Sequence, residues 1–193
     1  MLRGKKVYVL CITKKKGSLK TIKNQLEAFI IQFQQALVHM FEEQVKTVIG
    51  FGQAKEMLIL AKESFEEAEE TVKVNQSLPH SSRFFYEDLG LYQLPLKIKN
   101  TAFIPSFITA HIGPLLDYDE QNNSQLVETL RIYLKHMGSK QLAAQELFIH
   151  RQTLYHRLEK CKELLGDNYV EPEKRLCIEA AITFYTFSGR EPG

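Results

Sequence analysis

Residues 139–166 read SKQLAAQELFIHRQTLYHRLEKCKELLG, and this stretch decides how the C-terminal part of the chain folds. Its first part predicts a short helix over residues 140–147, directly after Ser139, a residue type that favours helix N-caps. Its second part predicts a longer helix over residues 150–165. Because only residues 148–149 separate the two helices, the stretch predicts a helix-turn-helix.

The crossing point of the two predicted helices requires a small residue, since helix backbones approach closely there. Ala143 and Ala144 provide it. Larger apolar residues follow at spacings that suit a shared internal core: Leu147, Ile149, Leu154 and Leu158. Amphipathicity alone would favour an ordinary helical hairpin with a charged exposed face. The alanine pair, the short turn and the cationic, amide-bearing outer face together favour the helix-turn-helix.

The outer face of the second predicted helix begins with side chains rich in hydrogen-bond donors: His150, Arg151, Gln152, Tyr155 and His156. A recognition helix presents its N-terminal residues to base edges in the major groove, where Arg pairs with guanine and Gln with adenine. We therefore predict base contacts for Arg151, Gln152 and Tyr155, and place His150 and His156 at the same interface. Phosphate contacts are predicted for the remaining polar and basic positions, Lys140, Thr153, Arg157 and Lys160.

The first half of the chain has a different pattern. Three short runs rich in β-branched and aromatic residues predict strands at residues 6–13, 45–51 and 83–86. Between them, apolar residues recur at helical spacing over residues 19–43 and again over residues 57–72. The order strand, helix, strand, helix, strand predicts a small α/β domain with helices packed on a sheet.

The middle of the chain is broken by proline. Three prolines within residues 89–116 predict short helices and turns there. Residues 117–124, DYDEQNNS, have no periodic apolar face and predict a linker, with Asn123 or Ser124 as the cap of the following helix. A last helix is predicted to begin at Pro172.

Residues 103–187 resemble the C-terminal region of the PucR/CdaR family of bacterial transcription regulators. The segments that carry the resemblance are LVETLRIYL and AAQELFIHRQTLYHRL, which match the family signature at fixed spacing. The resemblance implies a Fis-like helical bundle whose recognition helix starts near His150. Gln152 stands where the family usually has Asn, and His156 where it often has Tyr, so the resemblance leaves room for a different operator sequence.

Residues 5–88 resemble the latter half of the degenerate GGDEF-like domain that precedes this module in the family, through VIGFG, AKESFEEAEETV and FFYEDLGLY. No Gly-Gly-acidic-acidic-Phe motif occurs, so no cyclase activity is expected. The complete prediction is an α+β fold. It comprises a small, partial α/β domain of the degenerate GGDEF-like type at residues 1–92, connecting short helices and a linker at 93–123, and an all-α Fis-like helix-turn-helix domain at 124–193.

Composition narrows the functional classes. No apolar run reaches the ~18 residues of a membrane span, and no signal-peptide pattern follows the basic N-terminus, so we predict a cytoplasmic protein without membrane contact. The six histidines show no metal-ligand spacing, and no nucleophile motif occurs. We therefore expect no metal, no cofactor and no enzymatic activity.

Double-stranded DNA is the expected partner. Because one short recognition helix reads few base pairs, a homodimer on paired half-sites is predicted. A small-molecule effector, where one exists, is expected to be sensed by a region absent from this chain. The alternative from another class is a non-catalytic protein-interaction or signal-relay module that does not bind DNA. The operator and the regulated pathway are not specified by the sequence.

Overall fold

The computed structural model describes residues 7–12, 19–41, 47–78, 83–98 and 102–188. The chain divides into two compact units, Met1–Val48 and Ile49–Gly193. None of the helices in the described ranges is long and apolar enough to cross a membrane.

The first unit contains one long helix, α1, over Leu19–Phe41. This confirms the predicted helix up to that residue, and positions 42 and 43 lie outside the described residues. Phe29 and Phe33, one turn apart, stack with their ring centroids 5.9 Å from each other. The strand predicted at residues 6–13 is wrong over positions 7–12, which have no regular secondary structure; its two end positions lie outside the described residues.

The predicted α/β domain is also wrong, because the described residues contain no strand or sheet. The segments around Phe51 and Phe85 lie parallel, yet they share a single β-bridge. Next to that bridge, the side-chain amide of Asn75 donates to the carbonyl oxygens of Arg83 (2.7 Å) and Ile49 (3.4 Å). In a sheet, these two carbonyl oxygens would accept hydrogen bonds from a neighbouring strand. Here a side chain of a helix binds them instead, so the strand propensity of these segments does not lead to a β-ladder.

Helices account for the regular structure in the rest of the second unit. Two 3₁₀ helices over Leu58–Leu60 and Tyr86–Tyr92 flank α2, which spans Ala61–Ser77, and α3 follows over Gln93–Lys97. A small apolar cluster joins α2 and the second 3₁₀ helix to the end of the last helix of the chain; its buried members are Val74, Leu78, Tyr86, Leu89 and Phe187.

The C-terminal part is a bundle of five helices among the described residues. They are α4 (Phe103–Asn122), α5 (Leu126–Lys135), α6 (Lys140–Glu146), α7 (Arg151–Leu165) and α8 (Pro172–Ser188). Its main core contains fully buried side chains from α4, α5, α7 and α8, among them Ile112, Leu115, Leu130, Cys161 and Ile178. The last helix begins at Pro172, as predicted, because proline fits the first helical position without losing a hydrogen bond.

The short helices and the linker predicted before residue 124 are wrong where the structure has one long helix, α4. Pro114 lies inside it, and the residues expected to form a linker are helical as far as Asn122. The buried neighbours Ile112 and Leu115, which are both 0% exposed, bind this helix to the core and offset the hydrogen bond that proline removes. The helix ends at Asn123, which has a left-handed conformation with φ 48°.

The N-cap position of α5 is Gln125 rather than the predicted Asn123 or Ser124, and the side chain that caps the helix comes from Asp119 in α4. Its carboxylate oxygens accept hydrogen bonds from the backbone N–H groups of Leu126 (2.7 Å) and Val127 (3.0 Å), and from the hydroxyl of Ser124. A carboxylate at a helix N-terminus satisfies free N–H groups and interacts favourably with the helix dipole. The end of α4 is therefore fixed to the start of α5.

Candidate nucleic-acid interface

Helix α6 begins at a cap supplied by Ser139, whose hydroxyl oxygen accepts the backbone N–H of Leu142 at 3.4 Å. The chain reaches this cap from α5 through Met137 and Gly138, which have φ angles of 52° and 82°. The N–H of Gly138 donates to the carbonyl of Tyr133 at 3.0 Å and closes the end of α5. The positive φ angles redirect the chain, so that only four residues separate the end of α5 from the start of α6.

The turn between α6 and α7 is also closed by backbone hydrogen bonds. The N–H of Phe148 donates to the carbonyl of Gln145 (3.2 Å), and the N–H of Ile149 donates to the carbonyl of Ala144 (3.1 Å). This is the Schellman arrangement, in which one residue takes a left-handed conformation. Here that residue is Phe148, with φ 54°. The predicted turn at residues 148–149 is confirmed, but it is one residue longer on each side: α6 ends at Glu146 and α7 begins at Arg151.

The packing inside this helix pair confirms the predicted core. Ala143 is 0% exposed and Ala144 4% exposed, where α6 passes α7. They form one apolar cluster with buried Leu154, Leu158 and the α5 residue Ile132; Leu147 and Ile149 pack against it. The helix-turn-helix therefore has its own core, distinct from the main core of the bundle.

The start of α7 carries exposed polar side chains. The side chains of His150, Arg151, Gln152 and His156 make no hydrogen bond or ion pair with the described part of the chain. His150 is the N-cap residue of α7, but its ring does not cap the helix. The first N–H groups of α7 are therefore left without a side-chain partner, an arrangement that suits anionic ligands. Thr153 is exposed beside them.

Two of the predicted phosphate-binding lysines have partners within the chain. The ammonium of Lys140 lies 4.2 Å from the centroid of the Tyr155 ring, a cation–π contact that joins the start of α6 to α7. Lys160 donates to Glu163 at 2.7 Å and lies over the ring of Tyr118 at 5.1 Å. The hydrogen bond to Glu163 raises the pKa of Lys160, so this side chain stays cationic.

Arg157 lies on a different side of α7 from Arg151. Six residues correspond to about 240° around a helix axis, and Arg157 is accordingly only half-exposed and turned towards α5. Its guanidinium Nη1 donates to the hydroxyl of Thr129 at 3.1 Å. That hydroxyl, on a fully buried residue, donates in turn to the carbonyl of Gln125 at 2.6 Å. Arg157 thus links α7 to the start of α5.

Glu146, the last residue of α6, connects that helix to the end of α5. Its carboxylate accepts hydrogen bonds from the ammonium of Lys135 (2.7 and 2.9 Å) and lies 2.6 Å from Nε2 of His136. The hydrogen bond from Lys135, followed by that from His136, lowers the pKa of Glu146 below its ordinary value. The ion pair between Lys135 and Glu146 connects the helix-turn-helix to α5 at neutral pH.

Three residues that sequence analysis did not assign to the site lie beside its start. Gln141, Gln145 and Phe148 are exposed, and together with His150 and Arg151 they line a recess of about 450 Å³ between α6 and the beginning of α7. The four-residue spacing of Gln141 and Gln145 places them on one face of α6, and Phe148 lies in the turn just beyond the end of that helix. The spacing of the two glutamines was available in the sequence and would have identified them.

Comparison with known proteins agrees with this geometry. Residues 126–184 match the PucR C-terminal helix-turn-helix domain. The chain is 26% identical to the purine catabolism regulatory protein of Bacillus subtilis, over 82% of this chain and 30% of that protein. It is 28% identical to the proline-responsive transcriptional activator PutR of Bacillus subtilis, over 66% of this chain and 32% of that protein.

A third relative is the carbohydrate diacid regulator of Escherichia coli, which is 30% identical over 62% of this chain and 30% of that protein. The chain therefore spans about a third of the length of these curated relatives. By their names the three are regulators and not enzymes. No solved structure matches the chain significantly. The matched segment runs from α5 into α8 and contains the whole of α6 and α7, so residues 126–184 are similar to PucR C-terminal helix-turn-helix domains.

Proposed function

We propose that this chain is the DNA-binding part of a transcription regulator, and that it reads base sequence through the start of α7. The observation that carries the proposal is the set of exposed donor side chains at His150, Arg151, Gln152 and His156, which have no partner among the described residues. The names of the relatives, which are regulators, support the same function.

The dimensions of α7 suit the major groove. Its 15 residues correspond to a length of about 22 Å, and the groove is about 12 Å wide, which admits one helix. We assign base contacts to Arg151 and Gln152, because these types pair bidentately with guanine and adenine. Tyr155 and His156 lie one turn further along the same outer face, where they extend the contacted sequence.

Basic and hydroxyl side chains flank this face, and we assign them to phosphates. They are Lys140, Thr153, Arg157 and Lys160. Lys160 exchanges its exposed partner Glu163 for a phosphate at little cost, because surface ion pairs contribute only about 0–1 kcal/mol. Arg157 uses Nη1 for Thr129, and its other guanidinium nitrogens remain as donors.

A homodimer completes the proposal. One helix of this length contacts only a few base pairs, and two copies on half-sites about 34 Å apart would supply the remaining specificity. Sedimentation velocity of the free chain and of its complex tests this part independently. We expect two chains per duplex, and one chain per duplex at saturation would reject the dimer.

The test of the proposed function is a binding titration on duplexes selected from a random pool. Fluorescence anisotropy compares wild type, Arg151→Ala and Arg131→Ala at one fixed salt concentration. The control removes the same charge from α5, where Arg131 pairs with Glu128. Loss of a bidentate base contact costs about 1–3 kcal/mol, or roughly 5- to 150-fold in affinity. We expect this loss for Arg151→Ala and less than a twofold change for the control.

Two results would overturn the proposal. If the wild-type chain binds no duplex at low salt, the protein-interaction module becomes the better description. If both arginine variants lose affinity equally, the surface attracts DNA only by charge and Arg151 reads no base.

A further inference from the structure

The side chain of Phe148 has no role in the fold that the structure describes. It is 95% exposed, so its ring is almost entirely in water. It does not belong to the apolar cluster that joins α6 to α7. The turn itself is closed by backbone hydrogen bonds that do not need this side chain. A benzyl group at this position therefore gives the free chain nothing that glycine would not give.

The backbone conformation makes phenylalanine an unfavourable choice here. With φ 54°, Phe148 lies in the left-handed region at the residue that follows the helix end. Glycine, and next to it asparagine, is favoured there because a Cβ atom crowds the backbone. Among the other described positive-φ positions of the bundle, Asn123 and Gly138 fit this preference. Met137 does not, but its sulfur accepts a hydrogen bond from Nη2 of Arg175 at 3.6 Å, a contact that Phe148 lacks. Because Phe148 is exposed and its backbone conformation disfavours phenylalanine, neither packing nor backbone geometry accounts for phenylalanine at this position.

The position of Phe148 supplies one. It shares the recess with His150 and Arg151, the first residues of the proposed DNA-reading face, and with Gln141 and Gln145 of α6. The ring is thus an apolar group at the edge of a surface otherwise made of polar donors. Apolar side chains, phenylalanine among them, contact the methyl group of thymine in protein–DNA interfaces. The deoxyribose ring offers a similar apolar surface on the phosphate backbone.

We propose that Phe148 is a DNA-contacting residue whose ring packs against apolar atoms of the duplex beside the bases that Arg151 reads. This inference rests on the proposed DNA-binding function and adds a residue and a type of contact to it. A thymine methyl group would make Phe148 a determinant of sequence specificity. A deoxyribose contact would make it a determinant of affinity alone.

The test uses Phe148→Gly, because glycine fits the left-handed turn and keeps the fold. We expect its thermal midpoint to be no lower than that of wild type, because glycine relieves the left-handed backbone conformation and the exposed ring contributes no packing. On the duplex selected by wild type, its affinity should fall at least fivefold. Val170→Ala is the control: Val170 is 45% exposed and lies beyond the opposite end of α7. It should bind as wild type does.

Replacement of each thymine in the selected duplex by deoxyuracil separates the two apolar contacts. Removal of one buried methyl group weakens binding about fourfold. If Phe148 contacts a thymine methyl, one replacement should weaken wild type by this factor and leave Phe148→Gly unaffected. If it contacts deoxyribose, no replacement should matter, and Phe148→Gly should bind all duplexes more weakly by the same factor.

The outcomes distinguish this inference from the proposed function. If wild type binds, Arg151→Ala weakens binding and Phe148→Gly binds as wild type does, the inference fails and the proposed function stands. If Phe148→Gly loses affinity only in proportion to a lowered thermal midpoint, the ring has a structural role and the inference fails. A wild-type chain that binds no duplex overturns both.

Discussion

The hydrogen bond between Arg157 and Thr129 can be measured by a double-mutant cycle. Nη1 of Arg157 donates to the hydroxyl of Thr129 at 3.1 Å. Thr129 is 0% exposed, and its hydroxyl already donates to the carbonyl of Gln125. Removal of the arginine therefore takes away one accepted hydrogen bond and leaves the donor of the buried hydroxyl satisfied.

The expected magnitude follows from this geometry. Net hydrogen bonds contribute about 0.5–1.5 kcal/mol, and those to charged groups about 1.5–3 kcal/mol. Because Arg157 is half-exposed, water competes for its guanidinium, and a value near 1 kcal/mol is expected. Arg157→Ala should lower the free energy of unfolding by about this amount. Thr129→Val also removes the hydrogen bond to Gln125 and should lower it by about 2 kcal/mol. The double variant should lose about 1 kcal/mol less than the sum of the two.

Urea unfolding followed by circular dichroism gives the four free energies. The same proteins are then titrated with duplex at several salt concentrations, where each phosphate contact contributes about 0.9 to the logarithmic salt slope. We expect Arg157→Ala to reduce the logarithmic salt slope by about 0.9, the contribution of one phosphate contact. If the loss in the double variant equals the sum of the two single losses within about 0.3 kcal/mol, the two residues are not coupled. If the salt slope of Arg157→Ala equals that of wild type, Arg157 does not contact a phosphate.

Three further changes test the fold around the site. Leu154→Ala, at a position that is 0% exposed, should lower the free energy of unfolding by about 2–5 kcal/mol; Leu176→Ala, at a 60% exposed position of α8, should lower it by less than about 0.5 kcal/mol. Gly138→Ala puts a side chain at φ 82° and should cost about 1–2 kcal/mol, whereas Asn123→Gly should be neutral or stabilising; both are measured by urea unfolding. The pKa of Glu146 is lowered below 4.5 in the folded chain, so its contribution is complete above about pH 5 and is lost as pH falls through the folded pKa. The free-energy difference between wild type and Glu146→Gln should shrink on acidification, and a constant difference from pH 7 to pH 3 would contradict the ion pairs.

The helix-turn-helix could be predicted from the sequence because its determinants are local. Ser139 caps α6, the alanines at 143 and 144 allow close packing, and Leu154 and Leu158 repeat at helical spacing. Each of these signals acts within about one helical turn of the feature it specifies. The matching of the domain to residues 126–184 agrees with that prediction.

The predicted sheet was wrong because strand propensity is local, whereas a sheet requires each strand to pair with a partner that is distant in sequence. The runs around Phe51 and Phe85 do lie parallel to each other, but one bridge is all that forms between them. Asp119 was missed as a cap for a related reason, since it acts on α5 across the end of another helix. Phe148 was missed because nothing in the local pattern shows that a turn residue will be fully exposed.

The central claim is that Arg151 reads a base from the start of α7, and one measurement tests it directly. In the selected duplex each guanine is replaced in turn by 7-deazaguanine, which lacks the N7 acceptor, and the affinities of wild type and Arg151→Ala are compared. We predict that one replacement weakens wild type by roughly tenfold and leaves Arg151→Ala unchanged. Equal losses for both proteins at every guanine, or none for wild type, would contradict the claim.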